Sequence, residues 1–150
     1  MIHHFQPSHY HNTFGPHAPV LRLADGDTLI TTTIDAMGQD AAEAKVAQGP
    51  NPLTGPIYVQ GAAPGDALAV HIRRLEPNRE HGWSGSVVRP NVVDPERAAE
   101  LPPPPEAKWR VDRALGTATL LAPPGNLGAF TLPVAPMLGC LGVAPAGGQA

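Results

Sequence analysis

Ile57-Tyr58-Val59-Gln60, then Gly61-Ala62-Ala63-Pro64-Gly65-Asp66, then Ala67-Leu68-Ala69-Val70-His71-Ile72-Arg73-Arg74-Leu75: an apolar run, a turn and a second apolar run follow one another without a break. The first run is short and carries β-branched residues, the composition of a strand packed on one face. The middle segment holds two glycines and a proline, which supply the restricted and left-handed backbone of a turn. The third run alternates Leu68, Val70 and Ile72 with Ala69, His71 and Arg73, a period of two that predicts a strand with one apolar face. His71 falls on the opposite face and reads as a surface histidine rather than a ligand.

The same grammar extends in both directions. Upstream, Gly49-Pro50-Asn51-Pro52-Leu53-Thr54-Gly55-Pro56 is too dense in backbone-restricting residues to be a helix or a central strand, and reads as a fixed loop. Residues 40–46 (DAAEAKV) are helix formers but too few to be stable alone, so at most a helical turn is expected. Residues 20–23 and 28–34 flank Asp25-Gly26-Asp27 and read together as a hairpin. Downstream, residues 101–105 (LPPPP) must be extended or polyproline II, a linker within the domain. Trp109-Arg110-Val111-Asp112, residues 116–121 and Ala129-Phe130-Thr131-Leu132 add further strands. Seven or eight short strands suit a β-sandwich or a partly open barrel.

Composition agrees. The chain has 150 residues with 16 glycines and 19 prolines, close to twice the ~12% share of an average protein. A mostly helical fold is excluded, because proline removes an amide donor and glycine gains least from helical order. Hydrophobic residues make up 42% and charged residues 15%, with a net charge of -3. Neither a basic groove for nucleic acid nor a charged disordered tail is expected. The single cysteine, Cys140, excludes a disulfide framework and a multi-cysteine zinc site, and reads as a buried small residue of a reducing compartment. The first residues lack the apolar run of a signal peptide, and no stretch approaches the ~20 apolar residues of a membrane span. The expectation is a soluble cytoplasmic protein that binds neither membrane nor nucleic acid.

For chemistry, five of the seven histidines crowd the start of the chain: His3, His4, His9, His11 and His17. His9 and His11 would share one face of an extended strand, a spacing that metal pairs use but that, without a partner carboxylate, more often marks a hydrogen-bonded terminus. Asp35 ends a β-branched run, where a scaffold commonly presents a catalytic or ligating carboxylate; its bland alternative is a turn aspartate accepting backbone amides. There is no nucleophile elbow, phosphate loop or dinucleotide fingerprint. Ser84 and Ser86 have only His81 nearby in sequence, so a serine nucleophile is not expected.

Taken in order, HHFQPSHYHNTFGPHAPVLRLADGDTL, TTTIDA, GPNPLTGPIYVQGAAPGDALAV, GWSG, NVVDPE, WRVDRALGTATL and PMLGCLGVAP resemble the N-terminal half of the acetamidase/formamidase family, from about Ile2 to Gln149. The resemblance implies a mainly β fold, a jelly-roll-like β-sandwich with Gly/Pro-rich loops, and hydrolysis of the C–N bond of small linear amides to carboxylate and ammonia. It implies a divalent metal cofactor such as zinc, which could polarise the carbonyl and deprotonate water, with a carboxylate to shuttle the proton. Asp35, in the Thr-x-Asp-Ala pattern, becomes the leading catalytic carboxylate and metal ligand. His11, Asn51, Thr54 and Gln60 become candidates for binding the substrate. Family members carry glutamates where this chain has Gln60 and Ala63, and glutamine can hydrogen-bond but cannot act as a base. They also continue into a histidine-glycine-glycine-asparagine loop, so the chain, residues 1–150, reads as an N-terminal portion whose C-terminal half is absent. Incompetence alone is then expected, with the missing half or a homo-oligomer as partner. The competing expectation is a non-catalytic binding or structural β domain.

Overall fold

Ten short strands carry the chain in the computed structural model, which describes residues 1–85, 90–101 and 106–145. They are β1 (Ile2–Phe5), β2 (Tyr10–His11), β3 (Leu21–Leu23), β4 (Thr28–Thr31), β5 (Leu53–Thr54), β6 (Ile57–Val59), β7 (His81–Ser84), β8 (Ala107–Asp112), β9 (Thr117–Leu121) and β10 (Thr131–Pro133). The protein is mainly β, built from several small sheets with no barrel, consistent with a β-sandwich. Its residues divide into two units, Met1–Asn78 with Leu138–Ala150, and Arg79–Met137.

The first unit is stitched from three two-stranded ladders: β1 with β4 and β3 with β6, both parallel, and β2 with β5, antiparallel. The expected hairpin of residues 20–34 is therefore not formed. The Ala24–Asp27 turn does close, with the Asp27 amide donating to the Ala24 carbonyl at 3.1 Å. However, only Gly26 of its two central residues has a positive φ, +77°. That is the pattern of a type II turn, which splays its flanking strands, whereas tight hairpins use the mirror-image turns. β3 and β4 consequently take different partners. Asp27 reinforces the choice: its carboxylate accepts the Met1 ammonium, His3 Nε2 at 2.9 Å and the Ala24 amide at 3.0 Å, tying β4 to β1.

Residues 67–75 also depart from expectation. Their apolar alternation is that of a strand, yet they join no ladder among the described residues, and Leu68, Val70 and Ile72 stand 49%, 55% and 53% exposed. The pattern supplies one apolar face; a strand also needs a neighbour's amides and carbonyls, and none is presented to it here. His71 is exposed, as expected. Residues 40–46 form a tight turn instead of a helical one: Glu43 has φ 62°, and Gln39 and Lys45 face each other in an isolated antiparallel bridge. The turns expected between β6 and residue 67 are present, with Ala62 N–H donating to Val59 O and Asp66 N–H to Ala63 O.

The second unit is one antiparallel sheet in the order β10-β9-β8-β7. β8 alternates without a fault: Ala107, Trp109 and Val111 are half-buried while Lys108, Arg110 and Asp112 are exposed. Across the ladder Trp109 faces Leu120 and Val111 faces Ala118. The Trp109 and Phe130 rings tilt by 59° at 6.1 Å, within the favourable edge-to-face range. Trp109 Nε1 donates to Ser84 Oγ at 2.9 Å, which gives that hydroxyl a structural duty. Asp112 closes the β8–β9 turn by accepting the amides of Ala114 and Leu115, and Gly116 takes the positive φ that follows. Pro95–Glu100 is a 3-10 helical turn, with Asp94 before it and proline at its start. The proline run at residues 102–105 and Ser86 lie outside the described residues.

Burial is distributed unusually. Among the described residues, those that are buried are Pro7, Gly15, Gly38, Pro52 and Gly55, and no aliphatic or aromatic side chain joins them. Cys140, expected inside, is exposed.

Candidate functional site

Two aspartates shape the densest polar region of the first unit. Asp35 Oδ1 accepts the amides of Met37 and Gln39, both at 2.9 Å, and the Asp35 carbonyl accepts the Gly38 amide. Asp40 repeats the device one turn later, accepting the amides of Ala42 and Ala44. Short acidic side chains do this readily because the carboxylate reaches amides two and four positions ahead. Residues 45–51 then fold back onto the first turn. The Gly38 carbonyl accepts from Val46 and Ala47, and a Cβ at Gly38 would lie 2.2 Å from the Ala47 oxygen, so only glycine fits. The Asn51 amide donates to the Ala36 carbonyl at 2.7 Å, with Asn51 itself in the left-handed region at φ 53°. Asn12 clamps the far side, its Nδ2 donating to Gln48 O at 3.1 Å and Pro50 O at 2.7 Å.

The β2–β5 ladder completes this region, with Tyr10 opposite Thr54 and His11 opposite Leu53. Four sequence candidates thus share one hydrogen-bonded assembly: the Asp35 turn, the Asn51 loop, and His11 and Thr54 on the ladder the loop feeds. Gln60 belongs to a different ladder; it follows β6, its amide donates to Leu23 O at 2.7 Å, and it is exposed. Asn12 and Tyr10 were not legible as site residues, since Asn12 reaches across 36 positions to find its partner and no spacing signals that.

Three features give the assembly chemical character. His11 stacks on His17, the rings 3.7 Å apart and 5° from parallel, while His17 Nε2 bonds Thr13 Oγ1 at 3.0 Å. Partial burial first, and then the neighbouring His17 and His9, pull His11 below the ordinary histidine range, keeping it neutral at pH 7. Burial and the nearby Asp40 push the Tyr10 phenol up, so it stays protonated. Thr54 Oγ1 is buried without a hydrogen-bond partner among the described residues, a costly state that a bound polar group would relieve.

The expected divalent metal can be tested against these donors. A ligating imidazole holds its ion in the ring plane at about 2.0–2.1 Å. Stacked rings 3.7 Å apart share no such plane, so His11 and His17 cannot converge on one ion. His9 Nδ1 lies 2.9 Å from the Ser8 hydroxyl, which leaves only its Nε2 for an ion. One oxygen of Asp35 is committed to two amides. No three His, Cys, Asp or Glu side chains converge among the described residues, and this donor set does not fit a zinc ion.

A family model described as the Acetamidase/Formamidase family matches residues 2–148. The chain belongs to the acetamidase/formamidase family. Comparisons with curated proteins and with solved structures each return no match. The matched span of this acetamidase/formamidase family member includes the residues of both the Asp35 assembly and the Trp109 sheet. No helix among the described residues is long and apolar enough to cross a membrane.

Proposed function

We propose that the protein acts in the hydrolysis of the C–N bond of small linear amides to carboxylate and ammonia. The family match over residues 2–148 carries this reading. The Asp35 assembly supports it in kind: a neutral imidazole, an orphaned hydroxyl and amide-bearing Asn51 suit a neutral polar substrate. In this reading Asp35 is the carboxylate that relays a proton to the leaving nitrogen, and His11, Asn51 and Thr54 hold the amide. Gln60 binds it only if a second ladder reaches the same substrate. No step is assigned to a metal, because the described donors do not converge. We place the activity in the cytoplasm and in an assembly with a further chain, either a second copy or a complementing C-terminal segment. The absence of any buried aliphatic or aromatic side chain among the described residues argues for such a partner. Alone, the chain is then inactive.

A second reading, a non-catalytic binding or structural domain, is favoured by one observation: Asp35 Oδ1 already serves a turn. Asparagine separates the two, since its carbonyl oxygen can accept the same amides without the charge. Ammonia release from formamide and acetamide is measured for the chain in its assembled form, with and without zinc. Activity lost in a folded Asp35→Asn variant supports the hydrolase; activity retained removes Asp35 from the chemistry; no release under any condition favours the binding domain.

A further inference from the structure

Ala67 to Leu75 run without a turn, bend or helix, and their backbone amides and carbonyls bond no other described backbone group. A straight, unpaired segment with an apolar face is a ready template for another strand. Along such a run Asp66, Leu68, Val70, Ile72 and Arg74 share one face, and all five are exposed. That face is complementary to itself. An antiparallel copy with Val70 opposite its own counterpart sets Leu68 opposite Ile72 and Asp66 opposite Arg74, so apolar groups meet apolar groups and a carboxylate meets a guanidinium at each end. Sliding the copy by two residues one way opposes Asp66 to Glu76 and Leu68 to Arg74; sliding it the other way opposes Asp66 to Ile72 and Arg74 to Pro64, which has no amide to give. A parallel copy in register sets Asp66 beside Asp66 and Arg74 beside Arg74. Of these arrangements, the Val70-centred antiparallel one alone matches both charge and apolarity. Its charges are available: Asp66 Oδ2 accepts the Ala63 amide at 2.8 Å while Oδ1 makes no bond among the described residues, and Arg74 Nη2 donates to Glu76 at 2.8 Å in a pair exposed enough to exchange.

We propose that residues 66–74 pair with the same residues of a second copy of this chain as a two-stranded antiparallel ribbon, its two-fold axis passing between the two Val70 residues. The segment already runs without a bend, so pairing costs little further ordering. A ribbon of this length is smaller than the ~1,200–2,000 Å² of a standard interface, which sets a weak, reversible dimer. Such a contact serves the second-copy assembly of the hydrolase reading, but it rests on residues 64–76 and not on that reading.

Sedimentation velocity over a range of concentrations tests it, on the full chain with Cys140→Ser to remove the exposed thiol. The expected result is exchange between monomer and dimer with no larger species. Val70→Lys, at an exposed position, opposes two ammonium groups at the axis and should weaken the dimer on the order of tenfold. Arg74→Glu should weaken it about threefold, and adding Asp66→Lys should restore most of that loss, which damage to the fold would not do. Under a mild oxidant Val70→Cys should cross-link to its counterpart, since directly opposite residues lie about 4.5–5.5 Å apart; Leu68→Cys, ~13 Å from its own counterpart, should not. Unchanged circular dichroism confirms that each variant folds. A chain monomeric at every concentration, a dimer indifferent to Val70→Lys, open-ended polymers, or cross-linking of Leu68→Cys as strong as that of Val70→Cys would each overturn the proposal. A dimer that releases no ammonia counts against the hydrolase reading alone; ammonia release by a chain that stays monomeric, or that pairs only with a different protein, counts against this one alone.

Discussion

The unit Arg79–Met137 and the unit formed by Met1–Asn78 with Leu138–Ala150 use strands in opposite ways. In Arg79–Met137 the sheet is antiparallel throughout, and β8 and β9 meet across a turn closed by Asp112 and Gly116. Its strands are bound by a few large rings, above all Trp109. In the other unit two of three ladders are parallel, joining residues such as Ile2 and Thr28 that are far apart in the chain. Those strands are too short to hold themselves, and the joints are made by aspartate carboxylates, Asn12 and glycines that permit close approach. One unit is held by side-chain packing and the other by polar fastenings of the backbone.

The largest expected effect comes from a glycine. Gly38→Ala puts a methyl group where the Ala47 carbonyl sits, on a backbone at φ +83°, and should cost about 3 kcal/mol. Hydrogen exchange should show protection lost in β1–β6 and kept in β8 and β9; equal loss in both would break the comparison. Next, Trp109→Ala should cost about 2 kcal/mol, below the ~3–5 kcal/mol of a fully buried aromatic because the ring is half-buried. Trp109→Phe, which keeps a ring but frees Ser84, should cost about 1 kcal/mol in urea unfolding.

A smaller effect depends on pH. The Met1 ammonium, the Ala24 amide and His3 hold Asp27 well below the ordinary carboxylate range. Its contribution to stability is therefore present above the unfolded value of about 3.9 and is lost as pH falls further toward the depressed value. Asp27→Asn should flatten acid unfolding of β1 and β4 below about pH 4; an unchanged acid limb would mean the fastening is not electrostatic. The smallest is local. His17→Ala should move the His11 NMR titration partway back toward the ordinary histidine value of about 6.5, since burial, the larger cause, remains. A full return would assign the shift to His17 alone.

The same contrast decides what could be read from the residues. β8 and β9 were legible at residues 109–112 and 117–121 because alternation and turn signals lie within a few positions of one another, whereas the run expected at 129–132 forms a strand only from Thr131, to Pro133. Residues 57–59 were legible for the same reason. The partners of β3 and β4 were not, because turn type rather than turn composition decides whether two runs pair, and Asp25-Gly26 is compatible with either. The 67–75 run misled in the complementary way: periodicity reports a face, never a neighbour. At the site, the turn role of Asp35 was legible, and its bonds from the Met37 and Gln39 amides are what the structure displays. The gathering of His11, Asn51 and Thr54 around it depends on contacts such as Asn12 to Pro50, across 38 positions, which no local pattern carries.

Because Pro7, Gly15, Gly38, Pro52 and Gly55 occupy the buried positions among the described residues, the tolerance of the chain by itself to random substitution should be inverted relative to ordinary domains. In a saturation library, aliphatic positions such as Leu68, Val70 and Ile72 should accept many residues, and the punctuation of the loops almost none. For the folding of the chain by itself, the exposed apolar residues are then the replaceable ones and the buried glycines and prolines the fixed ones.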